Sequence, residues 1–170
     1  MKIKILFASL FVSVLAQGIP SDQLEFISEG SGIHELSWCG VSGRTYFVKY
    51  SEDAEDWGYA PFIELGDGNP IEYGLFSQAP KAFFRLAHTD VPTTDPESAD
   101  FDGDGLGNLF ELVNSGTDPL EQDSDNNSMS DGLEDSDADG ATNQAEAAAG
   151  TEARYKDHPL VNLTLVVTSG

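Results

Sequence analysis

From Gly32 to about Asp90 the chain alternates apolar and polar residues in short runs. Ile33–Trp38, Thr45–Tyr50, Pro61–Leu65, Ile71–Phe76 and Ala82–Ala87 each carry the two-residue period of a half-buried strand. Gly66-Asp-Gly-Asn-Pro70 separates the third run from the fourth and reads as a hairpin turn. Five strands in so short a span predict a small, mainly β sandwich or half-barrel over residues 32–90. Its core would hold Trp38, Tyr46, Phe47, Trp57, Phe62, Phe83 and Phe84. The period then changes. Leu106, Leu109, Phe110 and Val113 fall at i, i+3, i+4 and i+7, one face of a short helix. Ala141, Ala145, Ala148 and Ala149 repeat that spacing more weakly. Between the two regimes, 91–99 carries two prolines and no periodicity and reads as a linker. Residues 17–31 form a polar lead-in. In the C-terminal segment, 154–170, Val161–Val167 reads as a last strand, which either pairs back onto the β-module or leads into something longer.

The amino end changes the picture of where the chain works. Lys2 and Lys4 precede the apolar run Ile5–Leu15, and small residues lead to a cut between Ala16 and Gln17. This predicts a secretory signal peptide over 1–16, because the run is too short to span a bilayer. No later run reaches spanning length, so the mature chain is expected outside the cell, secreted or at the cell surface.

Charge sharpens this further. Eight basic residues face thirty acidic ones, a net of −22; losing Lys2 and Lys4 takes it to −24. Between Val91 and Glu152 there are seventeen Asp and Glu and no Lys or Arg. Such a surface repels nucleic acid and anionic membranes. It also repels itself unless cations neutralise it, which couples metal binding to folding. Cys39 is the only cysteine, so no internal disulfide can form; beside Trp38 it reads as a small buried hydrophobe. A small exported module without disulfides needs another staple.

The acidic half supplies a candidate. Asp100, Asp102, Asp104, Asn108 and Glu111 stand at positions 1, 3, 5, 9 and 12 of a loop with glycine at position 6. This is the spacing of a twelve-residue, EF-hand-like calcium loop, in which the backbone carbonyl at position 7, here Leu106, also serves. Asp135, Asp137, Asp139, Ala141, Asn143 and Glu146 repeat it, with Gly140 at position 6. Between them, Asp123, Asp125, Asn127, Met129, Asp131 and Glu134 repeat it with Ser128 in place of the glycine. Calcium takes about 6–8 oxygens, and alternate residues of a tight turn can aim several carboxylates at one point. Calcium is therefore the expected cofactor, with about three ions for three loops. The middle loop should be the weakest, through geometry rather than charge.

These residues resemble a known pattern. The run 100–111, then Gly116-Thr-Asp-Pro119, Asp123-Ser-Asp125 and Asp131-Gly-Leu-Glu134 are similar to bacterial thrombospondin type 3 repeats, over about 95–153. The resemblance implies a string of calcium ions held by the aspartates of 100–153 and a stiff, calcium-ordered stalk. Leu36-Ser-Trp38, Gly43–Ser51, Asp56-Trp57 and Ala82–Leu86 resemble a β-rich domain placed before such repeats in exported proteins of the Verrucomicrobia–Planctomycetes group.

Two other function classes compete with calcium binding alone. His34-Glu35 begins like a zinc-protease motif, but Trp38 occupies the place of the second histidine, and His34, His88 and His158 lack motif neighbours. No nucleophile elbow or phosphate loop is present, so no enzyme is expected. A dockerin-like module, recruiting a partner to a scaffold, is the alternative; it would want small hydroxyl residues where Leu109-Phe110 and Gln144-Ala145 stand. The chain is therefore expected to be a secreted, calcium-binding structural or adhesion module, whose partner is an extracellular protein or polysaccharide.

Overall fold

The computed structural model describes residues 24–28, 33–76, 82–151, 153 and 164–165. The expected signal peptide and most of the lead-in and C-terminal segment lie outside these residues. The described part is mainly strand, in two antiparallel sheets with a few short helical turns. Strands β1 (Glu25–Ser28), β2 (Ile33–Cys39), β5 (Pro70–Phe76) and β7 (Thr164–Leu165) form one sheet, in the order β1-β2-β5-β7. Strands β3 (Thr45–Ser51), β4 (Gly58–Leu65) and β6 (Phe83–Thr89) form the other, in the order β4-β3-β6.

Alternation explains the layering. Leu36, Trp38, Ile71, Tyr73 and Leu75 of the first sheet meet Tyr46, Val48 and Ala60 of the second in one buried cluster, edged by Phe62, Phe84 and Leu86. The sandwich expected from the strand pattern is thus present. Of the aromatics expected in the core, Phe83 is instead 39% exposed, and half-buried Trp57 stacks against the Arg85 guanidinium at 3.9 Å.

Three local expectations are corrected. The turn at Gly66–Pro70 does not close a hairpin, because β4 pairs with β3 and β5 with β2. The chain crosses between sheets there, which lets Phe62 and Tyr73 face each other with ring centroids 4.4 Å apart. Strand β4 begins at Gly58 rather than Pro61; Pro61, which has no N–H to give, sits on an edge strand where the β3–β4 register shifts between Phe47 and Lys49. Part of the lead-in, Glu25–Ser28, is a strand that pairs with β2. The last strand does turn back onto the module, with Leu165 opposite Leu75.

The second face of the β4-β3-β6 sheet is also covered, and this positions the acidic half. Phe47, Tyr59 and Leu112 form a second buried cluster, with Ile63, Ala87, Phe101 and Leu120 packed around it. Phe47 meets Tyr59 and Phe101 edge to face, at 5.9 and 6.2 Å. Asp118, from the Gly-Thr-Asp-Pro turn, accepts from Lys49 Nζ at 2.8 Å and from Tyr59 Oη at 2.7 Å. Burial, and then the nearby Asp118 carboxylate, push the Tyr59 phenol well above its ordinary range, so it stays a donor. The segment expected as a linker is hydrogen-bonded into the first loop: Leu109 N–H donates to Glu97 O, and Asn108 Nδ2 to Pro96 O at 2.7 Å.

The expected helical face is rotated. After a short helix, Asn108–Phe110, the chain widens into a π-helical turn over Glu111–Ser115, closed by Gly116 N–H on Glu111 O. The extra residue in that turn brings Leu112 under the sheet and leaves Val113 46% exposed, with Leu109 39% exposed. In the final helix, Asn143–Ala149, Ala145, Ala148 and Ala149 are likewise exposed; Asn143 and Glu146 take the buried face.

Candidate metal centre

The three acidic loops share one hydrogen-bond plan, which follows from their common spacing. The N–H of position 9 donates to the carbonyl just ahead of each loop: Asn108 to Ala99 at 2.8 Å, Asp131 to Gln122 at 3.0 Å, Asn143 to Glu134 at 2.7 Å. The position 1 carboxylate reaches across to accept from the N–H of position 6: Gly105 to Asp100, Ser128 to Asp123, Gly140 to Asp135. Position 3 accepts from position 5: Asp104 N to Asp102, Asn127 N to Asp125, Asp139 N to Asp137. Position 5 accepts from position 7, whose residues are Leu106, Met129 and Ala141. The position 1 carboxylates thus spend both oxygens on the backbone, whereas the aspartates at positions 3 and 5 spend one, which fixes their direction and leaves the second for the loop interior.

Among the described residues, three groups of carboxylates have ligand atoms that all lie within 4.8 Å of one another. Asp100, Asp102 and Asp104 form one and Asp135, Asp137 and Asp139 another, as their spacing predicts. The third is Asp104, Glu111 and Asp131, all buried. It joins the first loop to position 9 of the middle loop, a link that loop-by-loop reading missed. The signal that could have found it is Gly132. A Cβ there would sit 2.3 Å from Asp104 O, so only glycine lets the Asp131–Leu133 turn approach the first loop.

The position 9 side chains also make structural hydrogen bonds. Asn143 Nδ2 donates to Asp131 O at 2.7 Å, as Asn108 Nδ2 does to Pro96 O, each twelve residues back. Asp131 and Asn143 accept from the N–H of position 2 of their own loops, Ser124 and Ser136. These side chains tie each loop shut across its base and to the segment before it.

The electrostatics are uncompensated. Glu111 is wholly buried and its Oε2 has no hydrogen-bond partner; nor have the buried Oδ2 atoms of Asp102 and Asp104, Asn108 Oδ1, and Glu146 Oε2. Burial, then the charges of Asp102 and Asp104, push the Glu111 carboxyl up to about 9. Burial, with Asp104 and Asp100 nearby, pushes Asp102 up to about 7. Asp104, Asp131 and Glu146 are displaced in the same direction, again chiefly by burial. A divalent cation reverses this logic, since an opposite charge favours the carboxylate form. The donor set, hard oxygens with no histidine or cysteine, fits calcium or magnesium rather than a softer metal.

The middle loop differs. Its Asp123, Asp125 and Glu134 form no such convergent group. No helix among the described residues is long and apolar enough to cross a membrane. No known protein family, curated protein or solved structure matches the chain.

Proposed function

We propose that the chain is an exported structural or adhesion module whose acidic half is ordered by calcium and held against a β-sandwich. The observation that carries this reading is the buried triad Asp104–Glu111–Asp131, three carboxylates within 4.8 Å around unpartnered oxygens. Buried like charges at this separation either hold protons or hold a cation. At the calcium concentrations met outside cells, the cation wins. Glu111, Asp104 and Asp102 are the ligands of the first loop, with Asp131 lent by the middle loop. Asp135, Asp137, Asp139 and Glu146 serve the third. Because Phe101, Leu112 and Leu120 of the first two repeats pack on β3 and β4, metal binding stiffens a unit continuous with the sandwich. The sandwich would then present its surface to an extracellular protein or polysaccharide.

Calorimetric titration of calcium into the chain from Gln17 onward tests this. Affinity should be that of an extracellular module, about 10⁻⁴–10⁻³ M. Glu111→Gln and Asp137→Asn should each remove binding at one loop and spare the other. No binding at millimolar calcium would contradict the proposal.

A further inference from the structure

The middle loop repeats the third loop's backbone-to-side-chain bonds at positions 1, 3 and 5, but with an amide at position 5. In the third loop that residue is Asp139, beside Asp135 and Asp137 in a convergent group. In the middle loop it is Asn127, whose Oδ1 accepts from Met129 N–H at 2.8 Å, as Asp139 Oδ1 does from Ala141 N–H. The amide nitrogen takes the place of the second carboxylate oxygen. It donates to Asp125 Oδ2 at 3.2 Å and to Glu134 Oε1 at 2.5 Å, the acids of positions 3 and 12. Both of its hydrogens are therefore used inside the loop. The Met129 bond fixes the amide orientation: turning the group over would set two N–H donors against each other.

From this we infer that Asn127 closes the middle loop in place of an ion. The amide bridges the acids that a cation would otherwise bridge, and Asp131, the one carboxylate at a ninth position, is turned to Ser124 and the first loop instead. The backbone itself is that of a metal loop. Ser128 has φ +76°, in the left-handed region where Gly105 and Gly140 lie at +93° and +100°. At position 5 the middle loop turns an amide N–H inward where the third loop has a carboxylate oxygen. It acts as a hydrogen-bonded spacer that holds Asp131 in register for its neighbour. The inference rests on the calcium reading of the other two loops.

The test is the calcium stoichiometry of the mature chain and of Asn127→Asp, measured by calorimetry in the same buffer. Asn127→Asp replaces an inward donor with an acceptor and should add one equivalent of calcium. Asp125→Asn, introduced into Asn127→Asp, should remove that added equivalent. An unchanged stoichiometry in Asn127→Asp, with the parent chain still binding calcium, would overturn the role of Asn127 alone. No binding by the parent chain would overturn the calcium reading and this inference with it.

Discussion

In chelator, the intact chain should lose stability steadily as pH rises from about 4.5 to about 9, and calcium should remove most of that loss. The sign follows from the direction of the shifts. Unfolded, the Glu111 carboxyl titrates near its ordinary 4.5; folded without metal it is held up to about 9. Asp102 moves from 3.8 to about 7. Between those limits the folded state binds more protons than the unfolded one, so stability falls with rising pH. The contribution is complete below the unfolded values and lost as pH passes the folded ones. For a wholly buried carboxyl the loss is on the order of several kcal/mol. Glu111→Gln, isosteric and uncharged, should flatten the same curve in chelator and should no longer respond to calcium at the first loop. Thermal unfolding followed by circular dichroism across that pH range measures both. A metal-free curve that rises through neutral pH would mean that these carboxylates are paired by something else.

Phe47→Ala should destabilise the chain by about 3–5 kcal/mol, the usual cost of deleting a buried phenylalanine. Phe47 is fully buried, and its ring is the contact shared by Tyr59 of the sheet and by Phe101 and Leu112 of the acidic half. Phe101 is position 2 of the first loop, so calcium affinity there should fall as well. Leu109→Ala is the contrast. Helical periodicity puts Leu109 in the core, but it is 39% exposed, and its loss should lie within about 0.5 kcal/mol. Urea unfolding of the two variants in saturating calcium separates the possibilities. Equal effects would mean that the acidic half does not rest on the sheet through Phe47.

What could be read from the sequence was whatever repeats. Alternation located five of the seven described strands, because successive side chains point to opposite faces and each of these strands turns one of them toward the opposite sheet. The twelve-residue spacing located the loops, since tight turns have room for acids only at alternate positions. Features that depend on two distant segments were not legible. Nothing local in Phe47-Val48-Lys49 says that both faces of β3 are covered, although Phe47, Tyr59 and Lys49 wait for partners about sixty residues away. The π-helical turn escaped for a related reason. Its register is set by Leu112 docking under the sheet, which overrides the simple 3.6-residue period. The role of Asp131 was hidden in the same way. Counted along its own loop it is a ninth-position ligand, and only the approach of Gly132 to Asp104 brings it to Glu111.

The most direct measurement is an anomalous-difference map from crystals, grown in calcium, of the chain from Gln17 onward. A peak should lie among Asp104, Glu111 and Asp131, about 2.3–2.6 Å from their oxygens, with a second in the loop of Asp135, Asp137 and Asp139. An ordered first loop with no anomalous peak between Glu111 and Asp104 would contradict calcium as the ion that orders the acidic half.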